Sequence, residues 1–260
     1  MRVRSFTLTT STLSICISKE VQEIECTKTA GVDRNLRNVT YGNDSAVRRY
    51  DLSKCVKIAK VTKEIVASFK RNDARIRKKI ASKYGARRRN RTNSILHNVT
   101  KDIIETAVKN REAIVLEDIK GIKRLYRRGN GQGNRYRGMM NDWSFGEVQR
   151  QTEFKARWSG TPIIHLTKGE TKNTSTECPR CGERLQFGQN RQLWCPSCKI
   201  YEDRDVVAAK NLSREGWMRF VQSLPFIYKA KGGAVEAMMG NPTKTVILGA
   251  DAPKSSHQKT

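Results

Sequence analysis

Four cysteines with the spacing of metal ligands are the residues of this sequence best suited to chemistry. They form two Cys-x-x-Cys pairs, Cys178/Cys181 and Cys195/Cys198, separated by residues 182–194. Each pair would place two thiolates on one edge of a tetrahedron, the geometry in which Zn²⁺ is bound. Two disulfides or four free thiols are the alternative, but paired turns at this spacing favour a zinc ribbon. Because four cysteines leave no ligand position for water, we expect the zinc to be structural.

Two aspartates follow the second cysteine pair and open a segment rich in small residues. Asp203 is suited to cap a helix, and Asp205 would then lie in its first turn. Ala208 and Ala209 would let this helix approach a sheet closely. The segment alone supports two interpretations equally. Both aspartates cap the helix, or Asp205 is a metal-binding carboxylate held at a sheet edge.

Further acidic residues lie where strands are predicted to end. Asp33 ends a first strand, after which two more strands are predicted with a turn at residues 42–44. Residues 113–119 form an apolar run that leads into Glu117 and Asp118, and buried acids need partners or a metal ion. Since strand side chains alternate, Asp118 would face away from Glu117, and we interpret it as structural. Considered alone, an aspartate at a strand end such as Asp33 is usually a turn residue.

A known family combines these features. The chain resembles the TnpB (OrfB) proteins of insertion sequences, which are similar to the RuvC-like nuclease half of type V CRISPR nucleases. The resemblance covers about residues 30–212, and the following segments carry it: Gly31–Asp33, Ile114–Asp118, the helix around Trp143–Lys155, Thr174–Ser175 and Asp203–Asp205. It implies an α/β fold with an RNase H-like (RuvC-like) mixed sheet, flanking helices and an inserted four-Cys zinc ribbon.

The resemblance also implies a catalytic site. Asp33, Glu117 and Asp205 match the family's three catalytic carboxylates, which would hold Mg²⁺ for two-metal-ion cleavage of phosphodiester bonds. Mg²⁺ prefers carboxylate and water oxygens, so these residue types fit the role. Two positions depart from the common pattern: Asn35 replaces a glycine, and Val207 stands where Asn is common, whereas Asn38 keeps the family's Asn.

We expect four segments along the chain. Residues 1–173 would form the nuclease core with a basic helical insertion at about 54–110, residues 174–200 the ribbon, and residues 201–222 the final helix. Within the insertion, a separate amphipathic helix is predicted from Ile95 to Val108. Residues 223–260 have few periodic apolar positions, and we expect this tail to be largely disordered. About thirty residues precede Asp33, so the chain resembles the nuclease half of a shortened family member.

The charge of the chain indicates a polyanionic partner. It has 51 Lys and Arg against 25 Asp and Glu, a formal net charge of +26, which favours nucleic acid over an acidic membrane. Residues 54–91 carry fifteen of these cations against two acids, and we expect phosphate contacts there. The glycine-rich residues 129–133 lack the Lys-Ser or Lys-Thr of a P-loop and instead fit a nucleic-acid backbone. No apolar run is long enough to span a membrane, and the scattered Cys16, Cys26 and Cys55 suit a cytoplasmic location.

Three hypotheses of function follow. The first is a transposon-associated DNA endonuclease with structural Zn and catalytic Mg, with DNA as its partner and guide RNA left open. The second is a non-catalytic nucleic-acid-binding remnant of such a protein. The third is a basic zinc-ribbon RNA-binding protein of ribosomal type, which predicts that Asp33, Glu117 and Asp205 do not lie together.

Overall fold

A computed structural model describes residues 1–69, 74–223 and 244–248 of the chain. Within them, a short 3₁₀ helix spans Ile122–Tyr126. The strands are β1 (Arg2–Leu8), β2 (Leu13–Val21), β3 (Lys28–Arg34), β4 (Asn38–Gly42), β5 (Val47–Asp51), β6 (Glu112–Glu117), β7 (Ile163–Leu166), β8 (Gln186–Phe187), β9 (Gln192–Cys195), β10 (Ile200–Asp203) and β11 (Lys244–Leu248). The helices are α1 (Ser53–Ser68), α2 (Ala74–Asn110), α3 (Asn134–Asn141), α4 (Phe145–Ser159) and α5 (Arg204–Ser223).

A five-stranded mixed sheet forms the centre, in the order β5-β4-β3-β6-β7. The three strands predicted between residues 30 and 51 are β3, β4 and β5, and they pair antiparallel. β3 pairs parallel with β6, which pairs parallel with β7. Residues 113–116 of β6 are fully buried, as expected of a strand covered on both faces. The predicted mixed α/β architecture is therefore confirmed.

Helices cover the two faces of this sheet. The side chains of Val32 and Ile114 pack with Leu96 and Ile103 of α2 and Val148 of α4 in the main core. On the opposite face, α5 lies directly on β3 and β6. A Cβ atom at Gly31 would lie 2.7 Å from Leu212 Cβ and closer still to the Ala209 carbonyl oxygen, and one at Gly216 would lie 2.7 Å from a methyl of Val115. The predicted close approach of α5 to the sheet is confirmed.

The basic segment is folded differently from the expectation. The separate helix predicted from Ile95 to Val108 is instead the second half of α2, a single helix of 37 residues. Its sequence contains no proline, and Gly85 alone costs only about 1 kcal/mol in a helix interior. The helix therefore continues from its basic half into the half that carries the buried Leu96, Ile103 and Ile104.

Two smaller sheets flank the centre. β8, β9 and β10 form the ribbon sheet, which extends to Asp203, immediately before α5. β1 and β2 form a hairpin, and β11 pairs antiparallel with β2. β11 lies in the tail that was predicted to be largely disordered, and the remaining tail residues, 224–243 and 249–260, lie outside the described residues. None of the described helices combines the length and the apolar character needed to cross a membrane.

Candidate functional site

The four predicted zinc ligands converge in the ribbon. The Sγ atoms of Cys178 and Cys198 are 3.9 Å apart, those of Cys181 and Cys195 are 3.5 Å apart, and all four lie within 4.8 Å of one another. A disulfide needs about 2.05 Å, whereas sulfurs around a tetrahedral Zn²⁺ with Zn–S near 2.3 Å lie about 3.8 Å apart. The backbone N–H of Cys198 donates to Cys195 Sγ over 3.3 Å. Four soft donors in this arrangement fit a zinc ion.

The surroundings of Cys198 favour its neutral thiol form in the absence of a cation. Hydrogen bonding with Cys181, followed by burial and by the other thiols, raises the pKa of Cys198 to about 12. The thiolate of Cys198 therefore forms at neutral pH only when a positive ion stabilises it. Zinc can do so, since it binds thiolates rather than thiols. The cluster is thus suited to coupling zinc binding to the folding of the ribbon.

The ribbon packs against the first half of α5. Val207 is fully buried in the ribbon core with Leu185, Leu193 and the buried cysteines. The Asn211 side chain donates hydrogen bonds of 2.8 Å to the carbonyl oxygens of Thr174 and Glu177. Val207, the departure from the family's Asn, is therefore an apolar contact through which the ribbon positions the helix that carries Asp205.

The three carboxylates lie at the same end of the central sheet. Asp33 is the next-to-last residue of β3, Glu117 is the last of β6, and Val32 pairs with Leu116 in the parallel register just before them. Asp203 accepts a 2.8 Å hydrogen bond from the backbone N–H of Asp205, which confirms the predicted cap and places Asp205 in the first turn of α5. Since α5 lies on β3, its first turn brings Asp205 to the end of the sheet where Asp33 and Glu117 stand.

The charges of Glu117 and Asp205 act on Asp33. Burial, then the charge of Glu117, then that of Asp205 raise the pKa of Asp33 to about 7. Burial also raises the pKa of Glu117. The prediction that at least one carboxylate of the group has a raised pKa is confirmed, and the ribosomal-type hypothesis, which required separated carboxylates, is disfavoured. Like charges crowded in this way are tolerated where a cation binds between them.

Two asparagines connect the carboxylates. Asn35 Nδ2 donates to Asp33 Oδ2 over 2.6 Å and to Asn38 Oδ1 over 3.3 Å. Asn38 Nδ2 then donates to Asp205 Oδ2 over 3.0 Å. Asn35, which replaces the family's glycine, therefore completes a hydrogen-bonded chain from Asp33 to Asp205.

Two arginines at the site were missed in the sequence. Arg191 in the ribbon pairs through Nη2 with Oδ1 of Asp205, and Arg49 of β5 lies 3.8 Å from the other oxygen and also pairs with Asp203. Arg191 lies in the turn before β9 with a φ of 66°, and its carbonyl accepts from Arg204 N over 3.0 Å. No local pattern distinguishes these two from the other arginines, because their role depends on the ribbon and β5 folding beside α5.

Arg34 anchors the strand end that carries Glu117. Its side chain is almost completely buried, and its Nη2 donates to the backbone oxygen of Glu117 over 2.5 Å while Nη1 donates to Gln149 over 2.8 Å. The guanidinium also opposes the upward shift in the pKa of Glu117. Asp118, interpreted as structural, accepts from the backbone N–H of Lys120 over 2.9 Å.

The carboxylates are less tightly gathered than the cysteines. In the part of the chain that the structure describes, the four cysteines are the one group of three or more Cys, His, Asp or Glu whose ligand atoms all lie within 4.8 Å. Asp33, Glu117 and Asp205 therefore do not form such a cluster. Carboxylate oxygens are the donors that Mg²⁺ prefers, so the residues fit that ion, and magnesium binding stays a prediction.

Comparison with known proteins gives a consistent result. The family model described as the Cas12f1-like TNB domain matches residues 145–212. A TnpB-like protein of Methanocaldococcus jannaschii is 30% identical over 200 residues, which cover 71% of this chain and 67% of that protein.

Two solved structures share the fold. One is a Cas12f1–sgRNA–target DNA complex (TM-score 0.55, 17% identity), and the other is a CRISPR–Cas12f ternary complex (TM-score 0.56, 22% identity). Each alignment covers 77% of this chain and 41% of the Cas12f chain. The chain therefore spans about two fifths of the length of these Cas12f proteins.

Proposed function

This chain belongs to the TnpB family, and from that premise we propose that it is a transposon-associated DNA endonuclease. In this proposal the central sheet is an RNase H-like (RuvC-like) core. Asp33, Glu117 and Asp205 are the catalytic carboxylates, and the four-cysteine ribbon binds structural zinc. The hydrogen-bonded chain that joins Asp33 to Asp205 through Asn35 and Asn38, beside the strand end that carries Glu117, is the observation that carries the proposal.

Each residue of the site has a role in this proposal. When bound, two Mg²⁺ ions would activate water and stabilise the leaving oxygen of a phosphodiester bond. Asp33, Glu117 and Asp205 would hold these ions. Asn35 and Asn38 orient two of the carboxylates through their hydrogen bonds, so that fewer side-chain rotations are needed when a cation binds.

The arginines supply positive charge beside the carboxylates. Arg191 and Arg49 neutralise Asp205 in the absence of other cations. A guanidinium is also suited to bind phosphate with two parallel hydrogen bonds. We therefore propose that Arg191, more than half exposed at its side chain, contacts the phosphate group that is cleaved.

A non-catalytic nucleic-acid-binding protein is the second candidate. The net charge of +26 and the looser spacing of the carboxylates relative to the cysteines favour it. For both candidates we also propose that the protein binds a guide RNA and is located in the cytoplasm.

A nuclease assay separates the two candidates. The purified chain is incubated with single- and double-stranded DNA in Mg²⁺ or in EDTA, beside Asp33→Ala and the control Asp118→Asn. The proposal predicts cleavage in Mg²⁺ by the wild type and by the control alone. DNA binding without cleavage in any of these conditions would support the non-catalytic candidate.

A further inference from the structure

A groove with a volume of about 500 Å³ lies between α1, α2 and the segment from α3 to the start of α4. This volume falls in the range of roughly 300–1,000 Å³ typical of small-molecule sites. The floor of the groove is apolar and includes an indole ring, and these residues form it: Leu52, Val56, Ala59, Leu96, Met139 and Trp143. The surface is thus suited to a flat, apolar ring system.

The rim of the groove is cationic. Five cations and one carboxylate contribute to the lining: Lys60, Lys63, Arg88, Arg89, Arg135 and Asp142. Lys63 and Arg88 both pair with Asp142, and no described carboxylate lies within salt-bridge distance of Arg89 or Arg135. A ligand that matches the groove needs a flat ring for the apolar floor and negative charges for the cationic rim. A nucleotide has both.

The groove lies beside the candidate site and beside further aromatic residues. Leu36, which directly follows Asn35, forms part of its wall. The Trp143 ring lies 5.0 Å from that of Phe145, and Arg135 of the rim precedes Tyr136, whose ring lies 6.0 Å from that of Tyr126. Aromatic residues interleaved with cations are the usual surface for single-stranded nucleic acid, since bases stack on the rings and phosphates contact the cations.

We propose that this groove binds one nucleobase of single-stranded DNA on its apolar floor while Arg89 and Arg135 contact the flanking phosphates. The inference rests on the proposed DNA partner and is independent of whether the DNA is cleaved. The proposal concerns the binding of a base in the groove, which is a different interaction from the binding of phosphates by the positive charge of the whole chain.

Gly85 offers a matched pair of variants. It lies in α2 and lines the groove, and a Cβ atom added there meets no atom within 4 Å. Gly85→Phe therefore introduces a ring at the groove without a clash at the Cβ, whereas Gly85→Ala adds one methyl group and favours the helix. Neither substitution changes the charge of the chain.

The test compares two oligonucleotides of equal length and charge, oligo-dT and the same backbone with abasic sites. The wild type and Gly85→Ala should bind oligo-dT about fivefold to a hundredfold more tightly, the effect of stacking one base. Gly85→Phe should lose most of this difference and retain its affinity for the abasic strand. Equal affinities of the wild type for the two strands, or an undiminished difference in Gly85→Phe, would overturn the proposal.

Crosslinking locates the base directly. Oligo-dT with one 5-iododeoxyuridine should crosslink to Trp143 or Met139, and crosslinks found only outside the groove would contradict the proposal. Binding of oligo-rU is measured in parallel to test whether the ligand is DNA. A clear preference for oligo-rU over oligo-dT would refute the proposal that the groove binds DNA. Base-dependent binding by a chain that cleaves no DNA would refute the proposed nuclease function and support the groove.

Discussion

Asn38 donates a hydrogen bond of 3.0 Å to Asp205, although the two residues are 167 positions apart in the chain. The bond joins the start of β4 to the first turn of α5, and it exists because α5 packs on Gly31 of β3. Its continuation through Asn35 reaches Asp33. Two of the three proposed catalytic carboxylates are therefore parts of one hydrogen-bonded unit.

Loss of one zinc ligand should unfold the ribbon. We expect Cys178→Ser to lose the single zinc ion per chain and to lower the melting temperature by roughly 10 °C or more, because zinc binding supplies folding free energy. Metal analysis and thermal unfolding measure the two effects. Cys16→Ser, outside the cluster, is the control and should retain zinc. A Cys178→Ser protein as stable as the wild type would contradict the structural role.

Removal of the Asp33 charge should stabilise the protein without bound Mg²⁺ at neutral and higher pH. The pKa of Asp33 is raised from 3.8 to about 7 in the folded chain, so the stability it contributes is fully present below about pH 4 and is lost as the pH rises through 7. Asp33→Asn should therefore be more stable than the wild type by about 1–3 kcal/mol near pH 8. The difference should disappear near pH 4.

Denaturant unfolding of the zinc-loaded protein without added Mg²⁺ at several pH values measures this effect, with Asp118→Asn, outside the proposed metal site, as the control. Addition of Mg²⁺ should raise the melting temperature of the wild type more than that of Asp33→Asn, because an ion that binds the folded state stabilises it. A wild type that Mg²⁺ leaves unchanged would argue against a metal site at Asp33.

DNA binding should depend strongly on salt through the basic half of α2. Lys78 and Lys79 are exposed there, and each substitution by Gln should lower the slope of log K against log salt by about 0.7–0.9 if the residue contacts a phosphate. Lys101→Gln, at a position that pairs with Glu105 in the other half of the helix, should leave the slope nearly unchanged. Affinity that is the same at low and high salt would refute this prediction.

Arg191 should affect cleavage more than binding. We expect Arg191→Ala to slow DNA cleavage by roughly a hundredfold, the cost of losing a positioned charge in a site of this kind, while the affinity for DNA changes little. Arg191→Lys should retain part of the cleavage rate. Arg184→Ala, elsewhere in the ribbon, is the control and should cleave DNA at the rate of the wild type. Equal rates for wild type and Arg191→Ala would remove Arg191 from the proposed site.

Much of the framework could be predicted from the sequence because its signals are local. The cysteine spacing, the cap at Asp203 and the apolar run ending at Glu117 each depend on neighbouring residues. Arg191 could not be predicted, since its contact with Asp205 exists only after the ribbon packs on Val207. The continuity of α2 was also missed, because the change from a basic to an apolar face near Ile95 has the appearance of a boundary although no helix-breaking residue stands there.

Cleavage of DNA by Asp205→Asn, compared with the wild type in Mg²⁺ at protein concentrations that saturate binding, tests the central claim most directly. The substitution keeps the size of the side chain and removes the carboxylate that Asn38, Arg49 and Arg191 contact. The proposal predicts that the wild type cleaves, that Asp205→Asn binds DNA with similar affinity, and that it does not cleave. Equal cleavage by the two proteins would contradict the assignment of Asp205 to a catalytic metal site.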